Sequence, residues 1–195
     1  MIQLFKSAIL ASLMVCATAS ATVITLETRD MDSNFNSSDL QGAFNLLPAG
    51  SVSELASTSN FNTGQDTVNL LSFNFDMSYV GEWTLDAGLD AGFGAELFLD
   101  GVLVAERTDN LWWSNSWNNS DVFSVTLNNI SIGEHTVELY WAEDCCSGNS
   151  SIRLTDARTG NVSALSSEAI AAASIPEPAG ILLMSLGLLA LARRR

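Results

Sequence analysis

His135 is the only histidine in the 195-residue chain, and in HTVELYW it alternates in phase with Val137, Leu139 and Trp141. A catalytic base needs a nucleophile and an orienting acid. The chain has no Gly-x-Ser-x-Gly elbow and no cysteine in a protease-type context. His135 therefore reads as a packed, hydrogen-bonded side chain, and catalysis is not expected. Three other stretches have residue types suited to binding. LDAGLDAGFGAE sets Asp86, Asp90 and Glu96 in a glycine-rich segment whose carboxylates and carbonyls suit calcium. DMDSNFNSSDLQ spaces Asp30, Asp32, Asn34 and Asn36 like the start of a calcium loop, but Phe35 replaces the turn glycine and Gln41 the closing glutamate. NLWWSNSWNNSD gathers Trp112, Trp113 and Trp117 among amides, a combination that stacks on sugar faces and bonds hydroxyls. Alternation buries Trp113 and Trp117 on one side or Trp112 on the other, but not all three.

The fourth stretch, EDCCSGNSS, places Cys145 beside Cys146. Its chemistry depends on the compartment, which the ends of the chain indicate. Lys6, the apolar run from Ala8 to Val15, and the overlapping small-x-small sites Ala17–Ala19 and Ala19–Ala21 make an export signal over residues 1–21. A lipid anchor on Cys16 is disfavoured by the branched Val15 before it. Removal of the signal by signal peptidase leaves Cys145 and Cys146 as the only thiols, in an oxidising compartment. They can bond to each other, bond to another chain or stay free. Neighbouring Cα atoms lie about 3.8 Å apart, against the usual 4.4–6.8 Å of a disulfide, so a mutual bond demands a tight turn. Ser147 and Gly148 supply turn residues, which favours the vicinal disulfide. Two thiols are too few for a closed zinc site.

At the other end, Pro176, Glu177 and Pro178 precede a charge-free run from Ala179 to Ala192, and Arg193, Arg194 and Arg195 close the chain. At about 1.5 Å per residue that run spans roughly 21 Å, short of the roughly 30 Å hydrocarbon core, so it lodges in a membrane only with local thinning. These three parts in this order resemble the PEP-CTERM sorting signal, although Ile175 and Gly180 depart from its commoner neighbours. The resemblance implies a Gram-negative-type bacterium and cleavage near the tripeptide by the membrane transpeptidase exosortase. It also implies export across the inner membrane, transient anchoring through the C-terminal helix, and final residence at the cell surface or outside the cell.

Between the two ends, residues 22–175 hold four arginines against 21 acidic residues, a formal charge of −17, and no lysine. Such a surface repels nucleic acid and anionic lipid and attracts cations or basic partners. Short strands run throughout: VITLET, TVNLLSFNFDMSYVG with Leu71, Phe73, Phe75, Met77 and Tyr79 in phase, and GEWTLDAG. AELFLDGVLVAER reads as a hairpin about Asp100-Gly101. DVFSVTLNN and GEHTVELYWAED add two strands, and SSIRLTDARTGNVSAL a last pair. SDLQGAFNLL is a short candidate helix. Eight or nine antiparallel strands predict an all-β sandwich or jelly roll over residues 22–162. An Ala/Ser-rich linker over 163–174 then leads to the sorting signal over 175–195, and the sandwich is flanked by an N-terminal signal helix and a C-terminal hydrophobic helix.

YVGEWTLDAGLDAGFGAELFLDGVLVAE, the tryptophan stretch and ISIGEHTVELYWAEDCCSGNSSIRL together are similar to PA14-like β-sandwich modules of surface and carbohydrate-binding proteins. That similarity implies a sandwich with binding loops at one end. Some such modules hold calcium with adjacent aspartates, a pair this chain lacks. The CCSG turn with the sorting signal also resembles the CCXG group of PEP-CTERM proteins. Two function classes follow: a binding module for exopolysaccharide, or an acidic structural component of the matrix with no specific ligand.

Overall fold

The computed structural model describes residues 22–175. The expected signal peptide (1–21), the segment 176–195 and the two flanking helices expected in them lie outside the described residues. Twelve strands and two helices follow in chain order: β1 (Ile24–Asp30), α1 (Leu40–Leu46), β2 (Ser51–Leu55), β3 (Thr67–Met77), β4 (Gly81–Gly88), β5 (Asp90–Ala91), β6 (Ala95–Leu99) and β7 (Val102–Arg107). The remainder are β8 (Leu111–Trp112), β9 (Phe123–Ile130), β10 (Gly133–Glu143), β11 (Ser151–Asp156), β12 (Asn161–Ala164) and α2 (Ser167–Ser174). A six-stranded sheet runs β2-β1-β3-β10-β6-β7 and faces a four-stranded sheet, β12-β11-β4-β9, with β5 and β8 forming a small ribbon. Every pairing is antiparallel. The all-β sandwich expected from the alternation is the observed fold. Its strand count rises from the expected eight or nine to twelve because β2, β5 and β8 are too short or too polar to register as alternating runs.

The period-2 pattern decides which side of each strand is buried. Leu71, Phe73, Phe75 and Met77 of β3 and Val137, Leu139 and Trp141 of β10 point between the sheets and meet Trp83, Leu85, Leu127 and Leu154. The opposite face of the large sheet is covered by α1, where Val68, Phe98 and Tyr140 close over Leu40, Phe44 and Leu47. Phe44 and Phe98 both meet the Tyr140 ring edge-on. α1 is the helix read from SDLQGAFNLL. Its N-cap Asp39 accepts the Gly42 N–H at 2.7 Å, satisfying one of the donors a helix start leaves open. The Asp100-Gly101 turn has φ of 53° and 74°, the two left-handed residues a two-residue hairpin of this twist requires.

The stretch 163–174 is not a tether. Its first residues finish β12, and residues 167–174 form α2, capped by the Ser166 hydroxyl accepting the Ala169 N–H. Leu165 and Ile170 are fully buried and Ala173 nearly so, all three packed into the main core. The composition misled because alanine and serine are neutral to burial, while the three side chains that decide the matter fall at spacings of five and three. No helix among the described residues is long and apolar enough to cross a membrane.

β3 and β10 pair along their whole length, Thr67 with Glu143 at one end and Met77 with Gly133 at the other. Eleven residues at about 3.3 Å each put those ends roughly 33 Å apart. The β10–β11 loop and the β5–β8 ribbon lie at the first end. The described residues end at the second, after α2.

Candidate functional site

At the loop end, β10 stops at Glu143 and the chain turns through Asp144, Cys145, Cys146, Ser147, Gly148 and Asn149 into β11. Cys145 and Cys146 are bonded to each other, with Cα atoms 3.7 Å apart. Left-handed backbone at Cys146 (φ 76°) and Ser147 (φ 50°) swings the chain back on itself. The turn is held from three sides. Glu143 accepts the N–H of Cys145 and of Gly92, each at 2.9 Å. Asp90 accepts the Gly148 N–H. Asn62 donates to the carbonyls of Ser147 (2.9 Å) and Gly148 (2.6 Å) and accepts the Ser147 hydroxyl (2.9 Å). A Cβ at Gly148 would meet the Asp90 carboxylate and push it off the turn.

Three carboxylates crowd this turn. Burial pushes the Glu143 carboxyl above the usual range; the two N–H bonds oppose it, and the charges of Asp90 and Asp144 add to the rise. Burial also raises Asp90, countered by the Gly148 N–H and reinforced by Asp144. Glu143, Asp144 and Cys145 bring potential ligand atoms within 4.8 Å of one another, but the Cys145 sulfur is committed to the disulfide.

The three tryptophans separate as alternation required. Trp113 is buried. Its indole N–H donates to the Asn149 carbonyl at 2.8 Å, and its ring covers Gly88, where a Cβ would collide with it. Trp117 packs on Trp113 at 4.7 Å between centroids, and the Arg153 guanidinium lies 4.3 Å over its ring. Arg153 in turn meets Asp86 at 2.8 Å. Trp112 alone stands in solvent, 64% exposed, paired across the ribbon with Asp90. Ala91 and Leu111, the other ribbon pair, are fully buried, so Asp90 and Trp112 share the outward face.

Asp86, Asp90 and Glu96 do not converge. Asp86 lies on the outer face of the small sheet, held by Arg153 and the Ser124 hydroxyl (2.6 Å). Glu96 lies beneath α1, accepting the N–H groups of Leu40 (2.9 Å) and Gln41 (3.0 Å). Only Asp90 reaches the loop end. Its acidic neighbours Glu143 and Asp144 were missed as a group because they are more than fifty residues away in sequence, and only the β10–β6 register, continued by the backbone bonds between Ala142 and Phe93–Gly94, brings them close. Asp30 and Asp32 bound a separate surface loop, where Asp32 bonds locally to Asn34.

His135 lies toward the other end. Its Nδ1 is 2.7 Å from Asp100, and its Nε2 is 2.9 Å from the Ser131 carbonyl and 3.3 Å from the Ser131 hydroxyl. Burial pulls the imidazolium down. The Asp100 and Ser131 hydrogen bonds, with the charges of Asp100 and Asp76, outweigh it and leave the pKa above the ordinary value. The ring sits between two acceptors and the carbonyl is nearer than the hydroxyl. That geometry clasps the β6–β7 and β9–β10 turns together and does not activate Ser131.

α2 closes the described part of the chain. Ser174 is buried, its hydroxyl donates to Ile170 O at 2.7 Å, and its carbonyl accepts from the Ser78 N–H (3.1 Å) and hydroxyl (2.9 Å). The PEP-CTERM protein-sorting motif matches residues 174–195. The chain carries a PEP-CTERM sorting motif. The tripeptide Pro176, Glu177, Pro178 and the arginines 193–195 fall within that match. Solved structures share the fold of this chain's domain. A PA14 sugar-binding domain from an RTX adhesin is 10% identical with a TM-score of 0.52, covering 76% of this chain and 97% of that one. The epithelial adhesin 9 A domain of Candida glabrata, in complex with Galb1-3GlcNAc, is 8% identical with a TM-score of 0.51, covering 73% and 86%. An anti-sigma factor domain-containing protein of Clostridium clariflavum is 12% identical with a TM-score of 0.52, and the match covers 76% of this chain but only 46% of that one. At these identities the likeness establishes a PA14-like sandwich fold. No curated protein matches the chain.

Proposed function

We propose that the chain is an exported, exosortase-processed protein of the cell envelope or extracellular matrix whose loop end binds polysaccharide without catalysis. The observation that carries this reading is Trp112. It is the one tryptophan of the stretch left in solvent, it shares a face with the Asp90 carboxylate, and the Cys145–Cys146 turn fixes that carboxylate in place. An exposed indole beside fixed acceptors suits a sugar ring, with the apolar face stacking and the hydroxyls donating. The sugar complexes and sugar-binding domain among the structural neighbours support the same class. Signal peptidase and exosortase are the processing partners in this reading. Residues 22–175 form the displayed domain, with cleavage near Ala19 or Ala21 at one end and near Pro176–Pro178 at the other.

Retention on a glycan array with and without chelator tests it. Binding that falls at least about tenfold on Trp112→Ala, the effect of losing about 1.4 kcal/mol of stacking, supports the reading. Dependence on chelator would add a calcium ion at Asp90, Glu143 and Asp144. No glycan retention at high protein concentration overturns it. The charge of −17 favours the second reading, an acidic matrix component that bridges cations and has no specific sugar site.

A further inference from the structure

The sorting motif begins inside the folded domain. Its first residue, Ser174, ends α2 and is buried, and the motif continues through Ile175 with no spacer. Four hydrogen bonds tie this last turn down. Ser78 gives two to the Ser174 carbonyl, the Tyr79 hydroxyl gives one to the Ala173 carbonyl at 2.6 Å, and the Ser174 hydroxyl gives one to Ile170 O. At the start of the same helix, the Ser167 hydroxyl donates to the Thr22 carbonyl at 2.6 Å. Thr22 is the residue that cleavage after Ala21 would leave first. One eight-residue helix thus holds the chain beside both processing junctions.

We propose that the fold gates its own release: the clasp of Ser78 and Tyr79 on Ala173 and Ser174 must open before the chain can be cut near the Pro176–Pro178 tripeptide. A peptidase needs several residues of extended chain on either side of the bond it attacks, and here those on the domain side are helical and bonded. A bound turn of this kind opens as a local fraying equilibrium. Where that opening is fast relative to cleavage, the cutting rate follows the open population. Completion of folding, which makes these bonds, then slows release of the anchored form, so the clasp sets how long the domain stays at the membrane.

This inference rests on the reading that exosortase processes the motif, and the experiment separates the two. The full-length protein is pulse-labelled in its native host, and conversion of the anchored precursor to the shortened form is followed. Three chains are compared: wild type, Ser78→Ala/Tyr79→Phe, and wild type with about ten Gly/Ser residues inserted between Ile175 and Pro176, a reach of roughly 16–19 Å. The double variant is expected to convert about tenfold faster, the factor that loss of about 1.4 kcal/mol of hydrogen bonding yields. The spacer chain is expected to convert at least as fast, because its junction no longer depends on the clasp. Equal rates in all three overturn the gate while leaving processing intact. A wild-type precursor that is never shortened, or conversion unchanged by deletion of 176–195, overturns the processing reading itself. Should the double variant lose its cooperative melt, the spacer chain decides alone, since it leaves every bonded residue in place.

Discussion

The two ends of the sandwich are built on the same pair of strands and differ in what β3 and β10 run into. At the loop end, Thr67 and Glu143 lead to Asn-, Gly- and Ser-rich turns, an exposed Trp112 and three crowded carboxylates. At the exit end, Met77 and Gly133 lead to short turns and α2, where the polar groups are paired at close range and Leu165, Ile170 and Ala173 continue the core. One end keeps charge and aromatic surface available, and at the other the polar groups of Ser78, Tyr79, Asp100 and His135 are paired. In a domain of this size the shared interior supplies the stability. The ends are free to diverge, with unfavourable crowding tolerated where a ligand or cation would relieve it.

The comparison breaks most readily at α2. If the exit end belongs to the fold, Ile170→Ala, at a fully buried position, costs about 2–5 kcal/mol and lowers the thermal midpoint by many degrees. Were residues 163–174 a tether, the same change would stay within about 0.5 kcal/mol. A melting curve on residues 22–175 distinguishes the two outcomes.

That residue also marks where the sequence becomes hard to read. Phe73, Phe75, Val137 and Leu139 announce their strands because each alternates with polar neighbours, and Asp100-Gly101 announces its turn through a backbone that few other pairs adopt. Ile170 sits among alanines and serines, which pack or dissolve equally well, so nothing local reveals that it is buried. The candidate site shows the same divide. Cys145 and Cys146 have one short-range solution. Asp86, Asp90 and Glu96 lie within eleven positions yet point into three environments, because the β4–β5–β6 path crosses from one sheet to the other. The partners Asp90 does meet, Glu143 and Gly148, arrive through the β10–β11 loop, and only the register of the whole sheet determines that.

A smaller effect sharpens the loop end. Bonding adjacent residues closes almost no chain, so reduction of Cys145–Cys146 by a dithiol is expected to lower global stability by only about 1 kcal/mol. Its local consequence is larger. Left-handed backbone at Cys146 and Ser147 would relax, and the Gly148 N–H would leave Asp90. The expected result is protease cleavage confined to 144–149 and weaker glycan retention, with the thermal midpoint little changed. A reduced protein that keeps its protease resistance and binding would show that Asn62 and Glu143 hold the turn without the disulfide.

The smallest expected effect belongs to His135, near the exit end. Its pKa is raised in the folded protein, so the charged ring between Asp100 and the Ser131 carbonyl stabilises the fold fully below the unfolded value of about 6.5. That contribution is lost as pH rises through the higher folded value. Asp100 behaves in the opposite sense. Burial raises it, but the bonds from His135 and the Thr136 N–H outweigh burial and leave it lowered, so its contribution is present at neutral pH and lost only in acid. Asp90 and Glu143, both raised, act in the same sense as His135, since each favours its protonated form in the fold and loses that contribution as pH rises through its raised value. His135 is the one of these groups that loses a positive charge as pH rises above about 6.5, so His135→Gln should flatten the fall of the thermal midpoint there. A slope that survives the substitution would assign the pH dependence elsewhere and would leave the exit end held by α2 and its hydrogen bonds alone.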